Sequence, residues 1–373
     1  MKRAAVAVSG GVDSLCALVL LKEAGHDVLA LHGLFTSKGT DGHDPLPGLE
    51  RACKTLNVPL HVIDLRNVFF REVIVPFGQN YADGRTPNPC SLCNRRVKFG
   101  ALLDAALSLG AEKLVTGHYA RLSPTPFSDS PALYAAKNKD RDQSYFLSLV
   151  PTERLRHAHF PLAERTKAWC AAQVESAGLV VPLPSSSQDI CFVEEKGPDA
   201  HCAYLLAHWA SLGILPPGAG PVLLADSTGK IREVGVHQGL WRYTEGQRRG
   251  IGIAHHEPLY VLSKNVERNA LIVGGKALLG MTGCLTGKAN FLCEPKSWPK
   301  RVFARLRYRR RAAPALVSIR NGCLDIRLES GEFPAAPGQL AVIYDAEERV
   351  LAGGIIEHTT LDEALPADIR PAC

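Results

Sequence analysis

The chain has 373 residues, 46% of them hydrophobic and 21% charged, which suits a soluble globular protein of roughly two or three domains with an ample core. No apolar stretch approaches the ~20 residues needed to cross a bilayer, and Met1-Lys2-Arg3 leads straight into a strand, so a cytoplasmic protein with no membrane partner is expected. The net charge of +6 is modest, and eleven cysteines, odd in number and scattered, argue against a disulfide framework and for thiols that do chemistry.

In chain order, the apolar run Arg3–Val8 is the first expected strand, Ser9-Gly-Gly-Val-Asp-Ser14 follows it, and a helix is expected over Ser14–Ala24. Adjacent glycines let the backbone turn off the strand with no side chain in the way of a phosphate, and the helix aims its free N-terminal amides at the same spot. The Gly-Lys-Ser/Thr ending of kinase and GTPase loops is missing, which favours pyrophosphate release over γ-phosphoryl transfer. Strands at Asp27–His32, Pro59–Leu65 and Glu112–Thr116 then alternate with helices at Leu46–Leu56, Phe69–Tyr81 and Asn94–Leu109. That rhythm predicts a doubly wound parallel α/β sheet with ligands bound beyond the carboxyl ends of its strands.

The pattern changes near Pro184–Ser187. From about Tyr204, glycine-rich turns separate short expected strands at Pro221–Ala225, Leu259–Leu262, Ala270–Val273, Val302–Arg307, Ala315–Ile319 and Leu340–Tyr344. Boundaries near 204 and 278 divide the chain into 1–204, 205–277 and 278–373. Thr36–Pro47 and Ser123–Ser130 have the polar, Gly/Pro-rich composition of mobile segments.

Cys90-Ser-Leu-Cys93 sits on a proline-stiffened loop before the helix expected from Asn94, where a helix entrance with Arg95, Arg96 and Lys98 nearby is expected to lower a thiol pKa. Cys93 is therefore a candidate nucleophile, and Cys191, in an irregular polar stretch turning apolar, is another. Cys16, Cys53, Cys170 and Cys202 read as small buried hydrophobes. A Cys-x-x-Cys can be half of a structural zinc site, but no second pair of that kind follows. Arg301, Arg305, Arg307, Arg309, Arg310 and Arg311 lie within eleven residues, and the 305, 307, 309 spacing is expected to put three guanidinium groups on one strand face, with Tyr308 able to stack on a base. His118 reads as a general base or a polar contact to RNA or nucleotide. Asp41, Asp44, Glu194 and Glu195 read as solvated loop charges, leaving Asp13 as the better helper for Mg²⁺.

Together with Gly84-Arg-Thr-Pro-Asn-Pro89, Cys93-Asn94, Lys98-Phe99, Thr116-Gly-His-Tyr-Ala-Arg121, Asp142-Gln-Ser-Tyr-Phe-Leu147 and Asp189-Ile-Cys-Phe192, the phosphate loop resembles that of the bacterial tRNA-specific 2-thiouridylase family. Gly235-Val-His-Gln-Gly-Leu240, Gly246-Gln-Arg-Arg-Gly-Ile-Gly252, Leu306-Arg-Tyr-Arg309, Pro337-Gly-Gln339 and Gly353-Gly-Ile-Ile-Glu357 continue the resemblance in order over nearly the whole chain.

The resemblance implies an ATP-pyrophosphatase-type (PP-loop) catalytic domain, a small central domain and a C-terminal β-barrel. It implies that ATP adenylates O2 of the wobble uridine of tRNA and that sulfur then replaces the activated oxygen. By motif, Ala7, Val8, Ser9, Gly10, Gly11, Val12, Asp13 and Ser14 would hold the phosphates, with Gly33 beside the adenine and Gly117 also at the nucleotide. Asn88, Pro89, Cys90, His118, Arg141, Asp142, Gln143, Arg307, Tyr308 and Gln339 fall on tRNA-contacting positions. Cys93 would be the nucleophile and Cys191 the persulfide carrier, exchange between them closing a transient disulfide bond. Sulfur would come from a cysteine desulfurase, a relay protein or free sulfide, and no DNA partner is implied.

Two departures matter. Where many members carry an acidic residue this chain has Cys90, so Cys90, Cys93 and Cys191 could instead hold three irons of a [4Fe–4S] cluster, the fourth left open for sulfide. Gly33 stands where the family often has a larger apolar residue, which predicts looser adenine packing. Two other classes stay open on the residues alone: another PP-loop adenylating enzyme, such as an amide-forming synthetase, which has no use for these cysteines, and an RNA-binding protein without activity, which leaves the phosphate loop idle.

Overall fold

The computed structural model describes residues 3–36, 44–125, 128–183, 190–193, 197, 199–226, 228, 230–332 and 334–361. Strands β1 (Arg3–Ala7), β2 (Asp27–Leu34), β3 (Leu60–Asp64) and β4 (Lys113–Val115) are followed by a hairpin of β5 (Ala120–Thr125) and β6 (Ser128–Ala135), then by β7 (Ala158–His159). The first sheet runs β3-β2-β1-β4-β7, every neighbour parallel.

Alternation along β1 shows why the sheet is covered on both faces. Ala4 and Val6 join a core with Leu15, Leu18, Leu49 and Val174, under helix α1 (Val12–Glu23) and the helices Leu46–Thr55 and Lys167–Ser176. Ala5, on the other face, joins Phe69, Phe77, Val97 and Leu103, under the helical runs that span 66–82 and 89–108. The chain steps outward from β1 to β3 and resumes on the other side at β4. That reversal opens a crevice at the carboxyl ends of β1 and β4, where a doubly wound sheet takes its ligands.

A second sheet, ordered β10-β11-β8-β9, contains β8 (Gly220–Ala225), β9 (Ile231–His237), β10 (Tyr260–Asn265) and β11 (Ala270–Gly274). Leu271 and Val273 of β11 face its own small core, whereas Ala270 and Ile272 face the core of the last module. That module comprises β12 (Met281–Lys288), β13 (Asn290–Phe291), β14 (Val302–Arg305), β15 (Ala313–Arg320), β16 (Cys323–Glu332), β17 (Leu340–Tyr344) and β18 (Val350–Leu361). Six strands close a barrel in the order β12-β16-β15-β14-β17-β18, β18 pairing back with β12, and β13 adds to β18. Leu340, Val342, Tyr344 and Val350 belong to the same core as Tyr145 and Leu147, so the barrel is welded to the parallel-sheet unit.

The expected strand Val302–Arg307 stops at Arg305, and residues 306–312 form an irregular turn. Three arginines therefore do not line one strand face. Ser123–Thr125 and Ser128–Ser130, taken as mobile, belong to the hairpin, while residues 37–43 and 126–127, Asp41, Glu194, Glu195 and the stretch 184–189 lie outside the described residues.

Candidate active site

Between β1 and α1 the chain passes through Gly10, at φ +89°, to Gly11, which caps the helix with no side-chain hydrogen bond. Its first amides are thus free of a side-chain cap, the arrangement that takes a polyanion. Ser14 knits the loop: its hydroxyl donates to Gly11 O (2.9 Å) and accepts from the Ser9 amide (3.1 Å). The loop opens on a cleft of about 1760 Å³.

Gly117, after β4, lines that cleft, and a Cβ there would lie 2.8 Å from the Asp13 carbonyl carbon, so only glycine lets α1 approach β4 this closely. Gly33 also lines it. A Cβ at Gly33 would lie 2.7 Å from Phe35 Cε1, and Phe35 stacks on Phe69 at 5.4 Å. Phe35 thus fills the space that a side chain at position 33 would take.

Asp13 accepts from Tyr119 OH (2.7 Å) on one oxygen and pairs with Lys167 Nζ (2.7 Å) on the other. Both oxygens being engaged, Asp13 fits poorly as a Mg²⁺ ligand. Lys167 brings a half-buried cation to the cleft beside the phosphate loop from the start of a distant helix, and nothing near Ser9–Ser14 in sequence signals it.

Cys90 and Cys93 lie on a helix that begins one turn earlier than expected. Asn88 caps it, Oδ1 accepting from the Ser91 amide (3.2 Å), and Pro89 stands at its first position. After Pro89–Leu92 the run Cys93–Leu102 is wound as a π-helix and breaks at Gly100 (φ −99°, ψ −111°). Such windings are rare and concentrate at functional sites. Three residues apart, Cys90 and Cys93 share a helix face, and Cys191 lines the same cleft.

The expected lowering of the Cys93 pKa is overturned. Burial pushes Cys93 up to about 11 and Cys191 up to about 12; Cys90 reaches the surface but is also raised, because the protein packed round it withholds solvation, and Lys98 opposes all three. Arg96 instead faces Glu72 at 3.9 Å. Cys90 raises Cys93, and both raise Cys191, so the three thiols share one electrostatic neighbourhood. All ten described cysteines are free, and Cys16, Cys53, Cys170 and Cys202 are buried. Among the described residues, the His/Cys/Asp/Glu group with donor atoms all within 4.8 Å of one another is His255, His256 and Glu257, in a separate surface pocket.

His118 is buried between Lys98 Nζ, 3.4 Å from its Nε2, and Thr116 Oγ1, 2.7 Å from its Nδ1. An ammonium can only donate, so Nε2 accepts and the ring proton sits on Nδ1. Burial and Lys98 hold this imidazole well below the usual histidine range. Its chemical effect is to fix the ammonium that faces the thiols.

Other expected RNA contacts are spent on the protein itself. Asp142 is 1% exposed, pairs with Arg305 Nη1 at 2.7 Å and accepts from the amides of Ala136 (3.0 Å) and Ser144 (3.1 Å). Gln143 Oε1 accepts from the Tyr119 amide (3.0 Å), Arg307 Nη2 donates to Glu245 O (2.6 Å), and Gln339 Nε2 donates to Thr86 O (2.9 Å) and Pro87 O (3.2 Å). Arg141 and Tyr308 line the cleft with the exposed Arg309, Arg310 and Arg311, whereas Asn88, Arg307 and Gln339 stand outside its lining.

The tRNA methyl transferase HUP domain family matches residues 2–195, the tRNA methyl transferase PRC-barrel domain residues 213–275, and the aminomethyltransferase beta-barrel domain residues 281–356. The tRNA-specific 2-thiouridylase MnmA of Nitratidesulfovibrio vulgaris (strain DP4) is 47% identical over 352 residues, 94% of this chain and 98% of that protein. Its namesake in Oleidesulfovibrio alaskensis is 48% identical over 362 residues, with the same coverage. That of Thermosynechococcus vestitus is 38% identical over 357 residues, 94% of this chain and 93% of the relative. A solved 4-thiouridine synthetase–RNA complex with bound ATP covers 57% of this chain and 51% of its own at 15% identity and a TM-score of 0.35, too distant a likeness to bear on activity. The domain descriptions speak of methyl transfer, yet the cleft gathers three thiols beside a phosphate loop, in keeping with the relatives' name. On full-length identity, the chain belongs to the tRNA-specific 2-thiouridylase family.

Proposed function

We propose that the chain carries out ATP-dependent 2-thiolation of the wobble uridine of tRNA. The observation that carries this reading is a single cleft holding the phosphate loop, Cys90, Cys93 and Cys191, and a rim of arginines. Uracil O2 is a poor leaving group. Attack of O2 on the α-phosphate of ATP expels pyrophosphate and turns that oxygen into the bridge to AMP, which leaves when sulfur adds at C2. Ala7–Ser14 hold the phosphates through backbone amides, Gly33 and Phe35 form the adenine wall, Gly117 keeps the loop close to β4, and Lys167 balances phosphate charge. Mg²⁺ would enter with the nucleotide, held by phosphates and water, since Asp13 is already engaged.

For the sulfur step we favour the cluster. Cys90, Cys93 and Cys191 are the residues that would hold a [4Fe–4S] group, whose remaining iron would supply an activated sulfide. Their chemistry fits: three thiols line one cleft, burial keeps them protonated and so poor nucleophiles, and a metal that draws off their protons would take the thiolates as ligands. Cys191, partly accessible at the cleft where Cys93 is buried, favours the second reading, in which it carries a persulfide. There the Cys93 thiolate takes the inner sulfur, HS⁻ leaves to attack C2, and a Cys93–Cys191 disulfide remains for reduction.

We assign 1–204 to catalysis, 205–277 to a central domain and 278–373 to a barrel that meets tRNA alongside Arg141 and Tyr308. His118, Asp142, Gln143, Arg307 and Gln339 support that surface from behind, and Asn88, Pro89 and Cys90 approach the target base. The sulfur donor would be a cysteine desulfurase, a relay protein or free sulfide, and a tRNA substrate with free thiols suits the cytoplasm. The deciding experiment is anaerobic, ATP-dependent sulfur incorporation into unmodified tRNA. Metal-free protein with a persulfide donor is compared with iron-sulfide-reconstituted protein given free sulfide, each with and without Cys90→Ala. Activity confined to the reconstituted sample and lost in Cys90→Ala is the expected result. Activity in metal-free protein indifferent to Cys90 returns the step to Cys191 and Cys93, and no tRNA-dependent pyrophosphate release in any sample sinks the whole reading.

A further inference from the structure

Thr86, four residues before Cys90, sits where all three units meet. From the barrel, Pro337 O accepts its amide (2.8 Å) and Gln339 Nε2 donates to its carbonyl (2.9 Å). From the central domain, Thr244 Oγ1 lies 3.2 Å and Lys264 Nζ 3.4 Å from its hydroxyl. Lys264 has a side chain only 1% exposed; it donates to Tyr243 O (2.9 Å) and lies 3.4 Å from Glu245 Oε2, while Arg307 holds the Glu245 carbonyl (2.6 Å). A buried Lys–Glu pair is a poor source of stability, because desolvating both charges offsets their attraction, and its best-attested use is to fix register. Nothing in the adenylation or sulfur step uses this ammonium. What it touches is the loop that leads into the Cys90–Cys93 helix.

We propose that Lys264 is a positioning residue for sulfur transfer: through the Thr86 hydroxyl it holds the Cys90–Cys93 segment in register with the phosphate loop, making the central domain a working part of the active site. The inference rests on the thiolation reading for its kinetic consequence but not for its geometric one. Ammonium and hydroxyl form a polar latch that fixes one position of the loop, whereas apolar packing at the same place would tolerate a slide.

The test uses the full chain with Thr86→Val, which keeps the shape and removes the hydroxyl, Thr86→Ser, which restores it, and the pair Lys264→Met with Glu245→Leu, which removes both buried charges together so that neither is left unpaired. Two readouts are taken: the rate at which iodoacetamide alkylates Cys90 in metal-free protein, and kcat and KM for tRNA thiolation. A misplaced reacting group costs up to about a hundredfold, so kcat should fall at least about tenfold in Thr86→Val and in the double variant, with KM for tRNA and Tm little changed. Cys90 alkylation should quicken in both, and Thr86→Ser should behave as the parent. Parent-like kcat and alkylation in folded Thr86→Val, or an equal loss in Thr86→Ser, overturns the proposal. Should the parent fail to thiolate tRNA, the functional reading falls, and the alkylation rates still decide the positioning claim. Should the double variant fail to fold, the two Thr86 variants decide it.

Discussion

The two ends of the cleft are built in opposite ways. At the phosphate end, seven of the expected nucleotide residues come from one unbroken stretch, the loop after β1 and the first turn of α1 (Val8–Ser14), and the geometry follows from two glycines, a helix start and one serine. At the sulfur end, Cys90 and Cys93 come from a kinked helix, Cys191 from a remote segment and Lys98 from the next turn, while the loop that aims them is held by the barrel and the central sheet. A local site carries its chemistry in its sequence. An assembled site carries only its residue types, because burial sets the charges.

The sharpest way to separate the ends is to remove a thiol. Cys93→Ala or Cys191→Ala should reduce sulfur incorporation to background while tRNA affinity and ATP-dependent pyrophosphate release stay near those of the parent, measured by thiolated-nucleoside analysis, filter binding and pyrophosphate assay. Loss of pyrophosphate release together with sulfur transfer would break the comparison, since it would mean that the thiols also organise the nucleotide.

The weld between the units is the next largest effect. Arg305→Ala leaves the Asp142 carboxylate buried without its guanidinium partner, and breaking a buried pair on one side costs about 3–5 kcal/mol. A clear drop in Tm by calorimetry is expected, against little change for an exposed arginine such as Arg309. An unchanged Tm would show that barrel and catalytic unit are held by their shared core alone.

The thiol chemistry gives a smaller, cleaner signature. The thiolate is the form that alkylates, and burial raises Cys93 to about 11, so its iodoacetamide rate in metal-free protein should keep climbing with pH through that range. A plateau near the ordinary thiol value of about 8.5 would mean that Lys98 and the helix start outweigh burial after all.

That reversal shows where sequence reading stopped. The parallel sheet was legible because periodicity and glycine placement are local signals, and the barrel strands at Val302, Ala315 and Leu340 were found as short apolar runs. Strands β12, β16 and β18 were not, partly because Gly283 reads as a turn. A Cβ there would lie 2.3 Å from Ile326 O, so the glycine serves close approach inside a strand. Lys167 and Lys264 were missed for the same reason that Cys93 was misjudged: their partners Asp13 and Thr86 are remote in sequence, and burial leaves no mark on a single residue. Arg305 and Arg307 looked like their exposed neighbours until the strand ended after Arg305.

The arginine run therefore divides, and the division can be weighed by salt. Each phosphate neutralised on a single strand contributes about 0.7 to the slope of log K against log salt. Arg309, Arg310 and Arg311 are exposed at the rim, so replacing all three with glutamine should flatten that slope by up to about 2 and weaken tRNA binding most at low salt, with Tm nearly unchanged. Arg307→Gln should leave the slope almost as it was, because its guanidinium is committed to Glu245. If Arg307→Gln flattens the slope as much as the triple change, Arg307 leaves Glu245 to meet RNA, and the latch at Thr86 would then release when tRNA docks.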